Sequence, residues 1–416
     1  MKWNKLGRGT LASILSLALV SVTACSRDYV LAYVYVTTAK PLTTTSPNGG
    51  ISAYAVDYQI GSLTPLADSP IPAGRNPVTL VASPNALNLY VVNHDDSSVG
   101  EYSIGTDGKI YLQNTYNITG SLATSVAIDS VGAFLYVTFT YQIGPNGQQL
   151  YSPASPGPGG VTIFPIKADG SLGTPSTVKV GNNPIGVVVS RPKAGAVFAY
   201  VVDQESPTTP KATVLGFSQN PTTGALTPTP GTVITTDPTG KTVATGYGAG
   251  VTPSAIVEDP SARFVYITDQ ATNQLYGNVV ANDGSLVAMT NSPFPTGILP
   301  VGVTIDPRGK FLYVSNFSSS TVGAYAIDQA TGTPVGSVGS ASTAVDTSPR
   351  CVTIEPALGI YLYSANNLAS DVSALQLDPH NGGLKQVQNT PFPSGALPTC
   401  AVSVANGSHP TQIIVN

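Results

Sequence analysis

The sequence predicts an all-β fold: a seven-bladed β-propeller of four-stranded blades, its ring closed by strands from both termini. Three observations carry that expectation. A tyrosine followed three residues later by Asn, Asp or Thr recurs at Tyr35, Tyr90, Tyr200, Tyr266, Tyr313 and Tyr363, with a degenerate copy at Tyr136, where Phe139 takes the third place. Successive marker tyrosines are 46 to 66 residues apart, and between them short runs rich in β-branched and aromatic residues alternate with turns led by Gly, Pro or Asn. No segment after residue 25 keeps a helical period. A four-stranded unit repeated at this length is a propeller blade.

The elements follow in chain order. Lys2, Lys5 and Arg8 precede an apolar run over residues 11–22, which is too short for a permanent membrane span and fits a signal-peptide core. The run ends in Val22, Thr23, Ala24 and Cys25. Small residues directly before a Cys predict a bacterial lipoprotein signal, the alternative being an ordinary cleaved signal. Residues 1–24 are expected to be removed, Cys25 to carry the lipid, residues 25–32 to form a tether, and residues 33–416 to form one propeller domain. Ser26 after the Cys favours the outer membrane by resemblance to Gram-negative lipoproteins. The expected location is therefore the cell envelope, outside the cytoplasm.

The repeat is clearest in VGVTIDPRGKFLYVSN at residues 301–316, followed by STVGAYAI at 320–327. Each unit reads as an apolar strand A, a tight turn, a strand B carrying the tyrosine, and a strand C. A turn led by Gly108, Gly170, Gly224, Gly284, Gly332 or Gly382 then leads into strand D. Six full units run from residue 76 to 395. The piece over 33–74 has strands B, C and D but no strand A, and residues 400–404 supply the missing one. The two ends together make the seventh blade and remove the open sheet edges that template aggregation. Residues 411–416 read as a surplus strand B.

Composition narrows the function. Charged residues are only 10% of the chain, the formal net charge is −4 and no basic cluster exists, which argues against nucleic acid as a partner. Haem, zinc, phosphate-loop and Gly-x-Ser-x-Gly signatures are absent, so neither a cofactor nor a metal is expected. The chain reads as a monomer.

The repeated Tyr-Val-x-Asn unit, the Asp-Pro-x-Gly-Lys-Phe-Leu-Tyr-Val string and the seven-fold count resemble the lactonase-type seven-bladed propellers, a family that includes 6-phosphogluconolactonase and carboxymuconate-lactonising enzymes. The resemblance covers essentially the whole mature chain. It implies a Pro-Arg-His sequence at the head of a strand A. Here Pro349, Arg350 and Cys351 occupy that place, with Cys in the position of the His.

In such a propeller the A–B and C–D turns share one face, and the B–C and D–A connections share the other, around the channel mouth. The long insertions, over 38–50, 141–160, 203–212, 235–250 and 339–349, all fall on the mouth face. Loops elaborated on one side of a rigid scaffold usually carry binding. The candidate residues there are Arg350 and Arg75, which could hold a carboxylate or phosphate, and the carboxylates Asp95, Asp96, Asp203, Glu205 and Asp269, which could act as bases or form turns. His94 is the one histidine expected on this face, with His380 and His409 on the other. Cys351 and Cys400 take equivalent places on strands A of adjacent blades, as a disulfide or as two buried thiols.

The reading that follows is a lipid-anchored binding scaffold whose loop-rich face engages a protein, a glycan or a small anionic ligand. The alternative is a lactonase-like hydrolase or isomerase acting on a lactone or sugar-acid derivative.

Overall fold

A computed structural model describes residues 30–40, 45–141, 159–204, 212–236, 242–336 and 342–407. Residues 1–29 with Cys25, Glu205, His409 and the segment 411–416 lie outside the described residues. Among the described residues every regular element is a strand, and no helix is long and apolar enough to cross a membrane.

Seven antiparallel sheets form the blades. Blade 1 joins the two ends of the chain: Pro398–Ala405 is its innermost strand A, followed outward by Val30–Thr38, Gly50–Asp57 and Leu63–Pro65. Tyr35 pairs with Ala53 on one side and Val402 on the other, so the closure is a continuous ladder. Blade 2 runs Pro77–Ala82, Asn88–Asn93, Ser98–Ile104, Ile110–Asn117. Blade 3 runs Ser121–Ile128, Phe134–Tyr141, Gly159–Pro165, Ser176–Gly181. The innermost strands of blades 4 to 7 are Pro184–Val189, Pro253–Glu258, Pro300–Ile305 and Pro349–Ile354. Each packs against the next around the channel, and Pro349–Ile354 meets Pro398–Ala405 to complete the ring.

The marker tyrosine holds neighbouring blades together. Its hydroxyl donates to the carbonyl of the C–D turn glycine in the following blade: Tyr35 to Gly108, Tyr90 to Gly170, Tyr136 to Gly224, Tyr200 to Gly284, Tyr266 to Gly332, Tyr313 to Gly382 and Tyr363 to Gly61, at 2.6 to 3.0 Å. Burial pushes all seven phenols upward, so they remain donors at any working pH. The glycine is required twice over. All seven have positive φ, between 68° and 89°. A Cβ at Gly61 would also lie 2.2 Å from the Tyr361 ring, and one at Gly108 2.2 Å from the Tyr33 ring.

The residue three after the tyrosine has a separate task. Asn93 accepts from the Gly74 amide, Asn316 from Gly297, Asp203 from Asn182 and Asn183, and Asp269 from Val251 and Thr252. In these four blades the side chain thus pins the D–A loop, whereas Asn366 donates to Asp371 and Ser373 of strand C and Thr38 to the Gly50 carbonyl. In the degenerate blade 3 the bulk of Phe139 fills the space instead. It is fully buried, and a Cβ at Gly120 would lie 2.1 Å from its ring.

Two insertions differ from their sequence reading: within 339–349, expected as a loop, Ser342–Ala344 pairs with strand C of blade 6. The span 235–250, expected as a plain loop, contributes to a hairpin of Val233–Thr236 with Thr242–Thr245, and Tyr247–Gly248 then pairs with strand C of blade 4. Five blades also return a second short segment to strand C after a three-residue strand D, as Ile71–Pro72 does in blade 1. Strand D is continuous only in blades 2 and 3.

Candidate functional site

A cavity of about 820 Å³ opens in the central channel, and its wall is built by a regular device. Each innermost strand carries a one-residue bulge at its head, immediately after the proline in six of the blades. A bulge re-aims the extra side chain. The bulged residues are Val78, Thr124, Ile185, Ser254, Val301, Arg350 and Thr399, and all seven line the cavity. Above them a second ring comes from the residue four after the marker tyrosine: Ala39, His94, Gln204, Gln270, Phe317 and Asn367.

Most polar groups in these rings are used by the scaffold. Thr124 donates to the Pro184 carbonyl, Ser254 to Pro300 and Thr399 to Pro77, at 2.6, 2.6 and 2.7 Å. Each clips one innermost strand to the next. Gln204 and Asn367 do the same from the upper ring, to the carbonyls of Pro253 (3.0 Å) and Pro398 (2.8 Å). Because Asn367 already holds the junction between blades 7 and 1, Arg350 is released from that role.

Arg350 has no hydrogen-bond or ion-pair partner among the described residues. It keeps accessible surface, but that surface faces the channel interior, so protein atoms still displace much of its hydration. That desolvation lowers its pKa from the usual guanidinium value while leaving it charged. An unpaired guanidinium in a confined, half-apolar cavity is a receptor for an anionic oxygen. Gln270, in the upper ring, likewise leaves its side-chain amide without a partner among the described residues.

His94 lines the cavity from blade 2. Its Nδ1 lies 2.6 Å from Asp95 Oδ1, and Asp95 also accepts from Asn76 Nδ2 at 3.1 Å. Burial raises the Asp95 carboxyl, but the hydrogen bonds from His94 and Asn76 and the charge of Arg75 outweigh it, and the net shift is downward. An ionised Asp95 on Nδ1 leaves Nε2 as the nitrogen available to a proton from the cavity.

The other candidates stand elsewhere. Arg75 is not in the cavity wall: it is exposed, paired with Asp96 and bonded to the Asp95 carbonyl. Asp203 and Asp269 are fully buried and occupied by the loop amides they pin, so their turn-forming reading describes them. His380 lies in a C–D turn on the opposite face, bonded to Asp378. Cys351 and Cys400 are joined as a disulfide with Cα atoms 4.9 Å apart, linking the innermost strands of blades 7 and 1 inside the cavity wall beside Arg350. Among the described residues no group of three or more His, Cys, Asp or Glu side chains could hold a metal ion.

Sequence reasoning missed Gln204, Gln270 and Phe317. The signal was present, since all three sit four residues after a marker tyrosine in register with His94.

Comparison with known proteins places this architecture. The family model described as lactonase, seven-bladed beta-propeller matches residues 33–197 and 193–340. No protein among the curated sequences matches the chain. Among solved structures, a Bacteroides uniformis protein assigned as a 6-phosphogluconolactonase superposes with a TM-score of 0.68 at 18% identity, covering 90% of this chain and 99% of that one. A Bacteroides fragilis protein with the same assignment gives 0.67 at 19% identity, covering 91% and 99%. The periplasmic gluconolactonase PpgL of Pseudomonas aeruginosa gives 0.66 at 20% identity, covering 90% and 99%. The structural likenesses carry the fold, the family model spans most of the chain, and the chain belongs to the lactonase family of seven-bladed β-propellers.

Proposed function

We propose that this protein hydrolyses a sugar-acid lactone in its central channel. The observation that carries the reading is the Arg350 guanidinium, without a partner among the described residues and the one bulged residue of seven that is charged. Water attacks the lactone carbonyl, the acyl C–O bond breaks, and the ring oxygen takes a proton to become a hydroxyl. Negative charge develops on the carbonyl oxygen and ends on the carboxylate of the hydroxy acid. Arg350 complements that charge in the transition state and in the product. His94, held on Nδ1 by Asp95, takes the proton from water at Nε2 and returns one to the leaving oxygen. Gln270 offers an amide to the sugar hydroxyls. Family membership supports this reading above a purely binding scaffold for a protein or glycan.

We infer further that the mature chain is lipid-anchored through Cys25 in the cell envelope and works there as a monomer.

The test is turnover of gluconolactone and 6-phosphogluconolactone by residues 26–416 beside Arg350→Ala. Hydrolysis above the uncatalysed rate, reduced by about a hundredfold or more in the variant, is expected from losing a charge that acts in the transition state. A wild-type rate equal to the uncatalysed one would discard the reading and return the scaffold hypothesis.

A further inference from the structure

The face opposite the cavity mouth is unevenly furnished. It carries the C–D turns of all seven blades and the A–B turns of blades 2 to 7. In blades 1 to 3 these turns expose large apolar side chains: Tyr58 and Ile60 in blade 1, Leu87 in blade 2 and Val131, 76% exposed, in blade 3. In blades 4 to 7 no large apolar side chain is exposed in the described turns of this face, and Arg191 and Lys310 stand out into solvent instead. Gly132 in blade 3 lies against Pro84 in blade 2, so the Leu87 and Val131 turns are neighbours.

The chain joins the propeller at this same place. Val30 pairs with Asp57, the residue just before Tyr58, and its carbonyl accepts from Asn406. Cys25 precedes Val30 by five residues, which reach at most about 18 Å when fully extended. A lipid on Cys25 therefore holds the Tyr58 and Ile60 turn at the bilayer surface. The cavity, at the opposite end of the channel, faces away.

We propose that the short-turn face of blades 1 to 3 docks on a phospholipid surface, with the Arg350 cavity pointing into the aqueous space. This rests on the reading of Cys25 as the lipid anchor and adds an orientation to it. Apolar tips projecting from one sector of a face suit shallow insertion at the boundary between headgroups and acyl chains. Lys109 and Lys167 in this sector are offset by Asp57, Asp107 and Asp169 of the C–D turns of blades 1 to 3, and Lys109 pairs with Asp68, so the apolar tips and the position of the tether carry the docking. A short tether with a weakly binding face is the two-signal arrangement that makes a lipid anchor hold one orientation.

Tryptophan quenching tests it. The chain has one Trp, at position 3, within the segment expected to be removed. Leu87→Trp and Leu368→Trp therefore each place a single indole, one on the short-turn face and one in a B–C turn at the mouth; both positions are exposed. The mature protein is reconstituted in phosphatidylcholine and phosphatidylglycerol vesicles containing brominated lipid. The Leu87→Trp indole is expected to be quenched at least threefold more than the Leu368→Trp indole. Equal quenching, or stronger quenching at Leu368→Trp, overturns the proposal. Mass analysis of the Cys25 peptide reports the anchor separately. If no lipid is found, the same pair in residues 26–416 at millimolar lipid decides whether the face docks unaided. Quenching of Leu87→Trp alone, lost when Val131→Ser is added, supports the proposal, and no quenching overturns it. Self-association of residues 26–416 without vesicle binding also overturns it, in favour of a second copy of this chain.

Discussion

Tyr363 donates its phenolic hydrogen to the Gly61 carbonyl at 3.0 Å, across 302 residues of sequence. The same bond joins every other pair of adjacent blades, but this one joins the last full blade to the blade assembled from both ends. Ring closure therefore rests on the strand ladder of blade 1, this hydroxyl, and the Cys351–Cys400 bond.

Tyr363→Phe leaves the buried Gly61 carbonyl without its donor and is expected to cost about 1–3 kcal/mol. Urea unfolding should show a lower midpoint with an unchanged slope. Gly61→Ala should cost more, because it combines a positive φ with a Cβ placed on the Tyr361 ring. A Gly61→Ala variant as stable as wild type would contradict the latch.

The disulfide spans 49 residues of sequence. Loss of a cross-link of that length removes about 2–4 kcal/mol. Thermal melts with and without reductant, and of the double variant Cys351→Ser with Cys400→Ser, should show matching destabilisation. Identical melting temperatures in all samples would mean that the strand ladder closes the ring alone.

Asp269→Asn separates the structural carboxylates from the catalytic candidates. Asp269 accepts loop amides on both oxygens, Val251 on Oδ2 and Thr252 on Oδ1, so the substitution turns one buried acceptor into a donor facing an N–H; it should cost about 1–3 kcal/mol of stability and leave lactone turnover untouched. His94→Gln should instead reduce turnover by about a hundredfold or more while leaving the melting temperature in place. Activity lost in Asp269→Asn and kept in His94→Gln would reverse the two roles.

Asp371 gives stability a pH dependence. Burial pushes its carboxyl up to about 6, with the nearby Asp346 charge adding to the rise against an opposing hydrogen bond from Asn366. A carboxyl raised in the folded state binds more protons folded than unfolded. Its contribution is harmless below its ordinary value near 3.8, then lowers stability as pH rises through about 6. Asp371→Asn should remove that decline, so that the variant gains stability over wild type as pH rises from 4 to 8. Parallel pH profiles for wild type and variant, measured by denaturant titration, would contradict it.

The blade count, the four-strand unit and the closure by residues 400–404 were legible in the sequence, because each depends on local patterns: alternation, turn glycines and a recurring tyrosine. The chemistry was legible only as a set of residue types. Arg75, Arg350, Asp203, Asp269 and His94 look alike in sequence, each being a polar residue near the end of a strand. What separates them is what lies within hydrogen-bond reach once the ring is closed. Asp203 and Asp269 meet loop amides, Arg75 meets Asp96, and Asn367 takes the junction carbonyl that would otherwise have engaged the head of blade 7. Arg350 is left facing the cavity because a bulge turns it there and no neighbour among the described residues claims it. Partnership between residues far apart in the chain is a property of the packed ring. The sequence by itself determined the repeat and its fold, and only the tertiary structure decided which polar side chains remain free for a ligand.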